Sequence, residues 1–236
     1  MSDNRPLVDV FDRADYNSLA ACINYEYCKM HGYDFLYYRP YLKDSGVISL
    51  YNCIDPNTGE ERHAAWSKLL STIKVLEEDY DYVVYIDSDC IFRNFIVSIE
   101  EFITPYIDKD MIFLNNKPWG NNLPCSGFYV CKVGDSVKGN MQRWYGANLP
   151  AKNKKHAWEQ DALWNMYKSM NIAIVDSWMF KEERGQMLRH IGSHEGFNRT
   201  PYFKNVIRAS SIKYTENIKN IKVIDYDTGG AIDKGV

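Results

Sequence analysis

The 236-residue chain contains no apolar run approaching the ~18 residues that a membrane-crossing helix needs, so no membrane span is expected. It also lacks a dominant charge: 28 Lys and Arg stand against 31 Asp and Glu, for a formal net charge of -3. Without a Lys/Arg cluster there is no electrostatic footprint for a phosphate backbone, which argues against nucleic acid as a partner. The strongest basic stretch, Lys152, Lys154, Lys155 and His156, reads as a solvated loop. The 14 glycines and 8 prolines follow no repeat, and this excludes a collagen-like or low-complexity chain. None of the six cysteines forms a CxxC pair, and the polar start MSDNRPLVDVFDR lacks the pattern of a secretory signal. The thiols are therefore expected to be reduced, buried and in a cytoplasmic setting.

What the chain does have is 45% hydrophobic and 25% charged residues, ordinary for one globular domain with a core of its own. Aromatics are abundant, with 18 Tyr, 10 Phe and 6 Trp. Such rings offer an apolar body on which sugars and bases stack, although most are expected in the core.

Hydrophobic spacing predicts alternating strands and helices. Leu7–Phe11 reads as a strand, and Leu19, Cys22, Ile23, Tyr27 and Met30 as a helix stopped by His31-Gly32. Tyr33–Tyr38 reads as a strand ended by Pro40, and residues 41–62 as loop. Trp66, Leu69, Leu70, Ile73, Leu76 and Tyr80 form a second helical stripe before Tyr82–Ile86, an apolar run suited to a central strand covered on both faces. Met111–Leu114 and Phe128–Cys131 read as strands, the latter preceded by a Ser126-Gly127 turn. A helix from Trp158 to Met170 then leads to a strand at Ile172–Val175. Residues 201–226 carry no clear period, and 228–236 read as a mobile tail. This order predicts one α/β domain over 1–236 with a mostly parallel central sheet flanked by helices. Ligands of such sheets sit beyond the carboxyl ends of the strands.

Asp87-Ser88-Asp89 lies at such an end. Two neighbouring carboxylates repel, and a hard cation such as Mn²⁺ or Mg²⁺ would relieve them and neutralise a diphosphate. The alternative is a solvated acidic turn. Asp225-Tyr226-Asp227 has the same spacing, but a Gly-rich tail follows it, and it is not expected to hold metal. Trp158-Glu159-Gln160-Asp161 opens a helix, where Asp161 either complements the helix dipole or faces a developing cation in a cleft. Arg189-His190-Ile191-Gly192-Ser193-His194 offers two imidazoles in a glycine-punctuated loop, either of which could ligate the same metal. Cys125-Ser126-Gly127 leaves room for a sugar ring, or is simply a tight turn.

Taken together these pieces resemble a GT-A glycosyltransferase, and more narrowly the galactosyl-, mannosyl- and xylosyltransferases of glycosyltransferase family 34. The resemblance covers residues 7 to 200 through His31-Gly32-Tyr33-Asp34, Trp66-Ser67-Lys68, Asp87-Ser88-Asp89, Ser126-Gly127, Glu159-Gln160-Asp161-Ala162 and His190-Ile191-Gly192. It implies a single GT-A, Rossmann-like domain. It implies Asp87, Asp89 and His190 as metal ligands, with His194 the competing choice. Val10, Phe11 and Asp12 would receive the nucleotide base. Ser88, Ser126, Gly127, Gly192 and His194 would contact the donor. Lys68 would lie near the donor, and Gln160 and Asp161 close to the reacting anomeric carbon, the three forming the implied catalytic set. The implied partners are a nucleotide-sugar donor, with a UDP-sugar favoured, and a glycan or glycoconjugate acceptor. Transfer is expected with retention; under inversion Asp161 becomes the candidate base. Cys125 stands where the family usually has Asn, and the family's usual N-terminal anchor has no counterpart here. A haloacid-dehalogenase-type phosphohydrolase also uses Asp-x-Asp but prefers Thr where this chain has Ile91. A non-catalytic sugar-nucleotide-binding module is the remaining alternative.

Overall fold

The computed structural model describes residues 1–3, 5–41, 51–116, 122–176, 187–191 and 198–228. The first long element is helix α1 (Tyr16–His31), which buries Leu19, Ile23 and Tyr27 and ends where Gly32 adopts φ 74° and donates its N–H to the Cys28 carbonyl. A left-handed residue here satisfies an orphan carbonyl, and only glycine does so without strain. Strand β1 (Leu36–Tyr41) follows, then a hairpin of β2 (Tyr51–Ile54) and β3 (Glu61–His63). Helix α2 (Ser67–Val75) leads to β4 (Tyr82–Ile86), and a tight turn leads on to β5 (Cys90–Phe92). Helix α3 (Ile99–Ile103) starts at a Ser98–Glu101 capping box, a signature that satisfies two orphan donors at once. Next come β6 (Met111–Asn115), β7 (Pro124–Lys132), α4 (Asp135–Tyr145), α5 (Trp158–Met166) and β8 (Ile172–Val175). Strand β9 (Leu188–His190), α6 (Arg199–Ala209), α7 (Tyr214–Asn220) and β10 (Lys222–Asp227) complete the described chain.

The expected mostly parallel central sheet is corrected. The largest sheet has four strands in the order β4-β7-β6-β8, and only β6 and β8 run parallel. The physical reason is the connection between β6 and β7, which is short and contains no described helix. Adjacent strands so joined run antiparallel, because parallel neighbours need a long crossover. Strand β1 pairs in parallel with β10, and β5 pairs antiparallel with β9. β4 is therefore an edge of its sheet, not its centre, although both its faces are covered.

Two apolar layers supply that cover. Ile112, Leu114, Phe128 and Val130 point into a core shared with α1, α3, α6 and α7. Met111, Phe113, Tyr129 and Cys131 point into a second core shared with α2, α4 and α5. Alternate side chains of a strand leave opposite faces, so one continuous apolar run serves two cores.

Other expectations shift. Leu7–Phe11 is not a strand: Ser18 Oγ takes the Val8 N–H, Tyr214 donates to the Val8 carbonyl, and a 3₁₀ turn forms at Phe11–Arg13. Side chains satisfy this backbone in place of a ladder. The strand expected at Tyr33–Tyr38 runs through Pro40, which the ladder tolerates because Pro40 has no N–H to donate and its nitrogen faces away from β10. The loop expected at 41–62 contains the β2–β3 hairpin. Ser126 and Gly127 lie inside β7 rather than in a turn before it. Thr228, assigned to the tail, is buried and donates to the Tyr41 carbonyl; residues 229–236 lie outside the described residues. All six cysteines are buried and unpaired. Among the described residues no helix is long and apolar enough to cross a membrane.

Candidate active site

The β4–β7 ladder runs one step beyond β4, where the Asp87 N–H donates to the Gly127 carbonyl at 2.9 Å. The chain then turns, with the Cys90 N–H on the Asp87 carbonyl at 3.0 Å, and enters β5. The β5–β9 register sets Cys90 opposite His190, and the Ile191 N–H reaches the Asp89 carbonyl at 2.9 Å. Asp89 and His190, a hundred positions apart, thereby become neighbours, with His190 Nε2 3.1 Å from Asp89 Oδ1. Ligand atoms of Asp87, Asp89 and His190 all lie within 4.8 Å of one another.

Cations surround this acidic pair. Lys68, buried on α2, sits 2.9 Å from Asp87 Oδ1 and 3.0 Å from Glu159 Oε1. Arg199, the first residue of α6, reaches Asp89 Oδ2 at 3.1 Å and stacks over the Tyr16 ring at 4.7 Å. Tyr85 donates to Asp87 Oδ1 at 2.9 Å. Glu159 accepts from Ser126 Oγ at 2.8 Å, and Gln160 Oε1 accepts from the Ser126 N–H at 2.9 Å. Gly127 leaves room for the cluster: a Cβ there would lie 3.0 Å from His190 Cε1 and 3.2 Å from Asp87 Oδ2, so both side chains would have to give by a few tenths of an ångström.

The titration behaviour follows from these contacts. Burial disfavours a charged His190, but Asp89 holds its proton and carries its pKa well above the ordinary value. Burial pushes Asp89 up, while His190 and then Arg199 more than offset this and bring its pKa down. Burial opposes the charge of Lys68, yet Asp87 and Glu159 keep it firmly protonated. The Glu159 carboxyl is raised by burial and by Asp87, against the pull of Lys68.

The sequence-derived residues distribute as follows. Lys68, Asp87, Asp89, Ser126, Gly127, Gln160 and His190 converge, and half-buried Ser88 sits in the turn between the two aspartates. Asp161 faces Lys152 at 3.5 Å and has no described contact to the cluster. Val10 and Asp12 are exposed on the turn before α1, and Phe11 packs edge-on against Tyr214 at 5.2 Å. Gly192 and His194 lie outside the described residues. Asp225 of the second Asp-x-Asp is in β10, paired with Arg39 at 2.6 Å, away from the cluster.

Three further residues belong to the cluster: Tyr85, Glu159 and Arg199. Tyr85 was detectable, since residues two apart in a strand share a face and Asp87 follows it by two. Glu159 stands beside Gln160 and Asp161 in the same motif, but only the fold aims it at Lys68. Arg199 carries no local signal. The donor set fits a hard divalent cation: two carboxylates and one imidazole, partly open to solvent.

Neither a comparison with protein-family models nor one with curated proteins finds a match. Among solved structures, the fold is similar to that of a glycosyltransferase involved in the glycosylation of the major capsid of PBCV-1, at a TM-score of 0.64 and 15% identity. That similarity covers 88% of this chain and 97% of the other.

Proposed function

We propose that the chain is a metal-dependent glycosyltransferase that moves a hexose or pentose from a nucleotide-diphosphate sugar to a hydroxyl of a glycan or glycoconjugate. The observation that carries this reading is the convergence of Asp87, Asp89 and His190 at a strand end in a fold similar to that of a glycosyltransferase. A bound Mn²⁺ or Mg²⁺ supplies Lewis-acid neutralisation of the diphosphate.

The chain's own groups do the rest. Asp87, Asp89 and His190 would hold the cation, His190 as the neutral imidazole. Lys68 and Arg199 limit the repulsion between the carboxylates and keep them in place. Ser126 and Gly127 leave a shallow wall beside the donor sugar, and Gln160 fixes the Ser126 backbone. In the reaction the bond from the anomeric carbon to the phosphate oxygen breaks and one to the acceptor oxygen forms. The acceptor proton leaves on the departing diphosphate when configuration is retained, the outcome the family-34 resemblance favours. Asp161, which pairs with Lys152, takes its proposed role of orienting the acceptor or facing developing positive charge from the family-34 resemblance and its place beside Gln160.

A thermal-shift series with UDP- and GDP-sugars, each with and without Mn²⁺, tests the reading. A ligand that binds only the folded state raises the melting temperature by mass action. The expected result is a shift for a UDP-sugar that requires Mn²⁺, followed by release of UDP on addition of an acceptor. Binding without release under all acceptors favours the non-catalytic module. Phosphate release from simple phosphoesters favours the phosphohydrolase.

A further inference from the structure

Helix α5 opens at Trp158, directly ahead of Glu159 and Gln160, the two side chains that grip Ser126. Trp158 has a φ of 50°. Bulky residues rarely adopt a positive φ, and they persist there only where the surroundings over-determine them, most often at ligand sites. The indole Nε1 is shut off from solvent and has no hydrogen-bond partner among the described residues. A buried indole N–H ordinarily finds an acceptor, so hydrogen bonding is not what holds this ring.

Two imidazoles hold it. His63, at the end of β3, lies parallel to the indole at 4.1 Å with 4° between the planes, and His156 meets it edge-on at 4.8 Å and 76°. His63 is itself fixed: its backbone N–H donates to the Asn153 carbonyl at 2.7 Å, and its Nδ1 accepts from the Ala65 N–H at 3.1 Å. Trp158 packs partly against the core shared by α2, α4 and α5, His63 is half-buried and His156 is exposed. The three rings therefore have a core side and a solvent side. Asp161 follows Trp158 by three residues, the spacing of neighbours on a helix face, and pairs with half-buried Lys152 at 3.5 Å. Flat rings beside one carboxylate and one ammonium suit a pyranose, whose C–H face packs on the rings while its hydroxyls meet the charged groups. The ring group stands next in the chain to the contacts on Ser126, where the donor sugar is placed above. A sugar packed on it would be the neighbour of the donor sugar.

We propose that His63, His156 and Trp158 form the floor of an acceptor subsite, on which a pyranose ring of the acceptor glycan packs while Asp161 and Lys152 take its hydroxyls. The assignment rests on the glycosyltransferase reading above. Saturation-transfer NMR on the full chain, with Mn²⁺, UDP and the methyl glycosides of glucose, galactose, mannose and xylose, tests it. At least one glycoside is expected to bind through its ring C–H protons. Trp158→Leu, which keeps apolar volume but loses the flat ring, should weaken that binding about fivefold, and Trp158→Phe should recover most of it. His156→Ala, at an exposed ring, should weaken it about twofold and decides the matter if the leucine variant does not fold. The Mn²⁺-dependent rise in melting temperature with a UDP-sugar should be the same in these variants as in the parent. Binding by none of the glycosides, or equal binding in the parent and the folded variants, overturns the proposal. A variant that lowers the melting temperature without altering glycoside binding also overturns it and leaves the stack as a pin between β3 and α5. Glycoside binding that depends on Trp158 in a parent showing no UDP-sugar shift sinks the transferase reading and leaves the sugar subsite standing.

Discussion

Two ionic clusters in this molecule use the same chemistry to opposite ends. At the first, Arg62 and Asp55 are fully buried and 3.0 Å apart. Every direction is filled: Arg62 donates to Asn153 Oδ1, to the Tyr145 carbonyl and to the Ala147 carbonyl, and its guanidinium lies 4.0 Å over the Trp66 ring. Asp55 accepts from the Asn57 N–H and from Asn153 Nδ2. At the second, Asp87 and Asp89 remain about a fifth to a quarter exposed, and buried Glu159 has no hydrogen-bond partner for Oε2 among the described residues. The closed cluster ties the β2–β3 hairpin to the end of α4. The open one has coordination left over for a ligand. Ionic groups hold structure where all their bonds are internal and serve chemistry where some are left to spare.

The comparison can be broken by substitution. Arg62→Met leaves a buried carboxylate unpaired and is expected to cost about 3–5 kcal/mol, lowering the melting temperature by about 10 °C. The Mn²⁺-dependent rise in melting temperature with a UDP-sugar should persist. A loss under about 1 kcal/mol would show that the closed cluster is not structural. Asp89→Ala should do the reverse: turnover falls by about 10²–10³-fold and the Mn²⁺ shift disappears, with folding retained. Full activity in that variant defeats the metal assignment.

Smaller effects sharpen the contrast. Gly127→Ala places a methyl against His190 and Asp87 and should cost about tenfold in turnover with little change in melting, because small displacements of reacting groups are amplified in rate. Unchanged kinetics would mean that the ring and the carboxylate move aside freely. The smallest effect concerns His63, which stacks on Trp158 at 4.1 Å. Burial, with help from Lys68 and His156, pushes its pKa down from 6.5 to about 4. The unfolded chain then binds a proton that the folded chain refuses, so this contribution is full above pH ~6.5 and is lost as pH falls toward ~4. Denaturant melts of His63→Gln should be flatter across that window than those of the parent. Equal slopes would refute the assignment.

Much of the site was legible because its parts are local. An apolar β-branched run followed by Asp87-Ser88-Asp89 carries its own strand end, and Glu159-Gln160-Asp161 carries its own helix start. The partners of those motifs were not legible. Nothing near Arg199 in the chain signals that its guanidinium meets Asp89. The misjudged Leu7–Phe11 segment teaches the same lesson from the other side. Apolar residues establish that a segment is buried, but whether its backbone joins a ladder depends on what lies beside it.

The amino-acid order by itself determined that α1, α2 and α5 form, that the strand at Tyr82–Ile86 is covered on both faces, and that two carboxylates stand at its end. These follow from periodicity, caps and burial, which act over a few residues. Tertiary structure alone decided which strands run antiparallel, that β4 lies at an edge, and that His190, Lys68 and Arg199 close around Asp87 and Asp89. Those outcomes depend on strand pairing between distant segments, and the energy of such a pairing resides in neither segment alone.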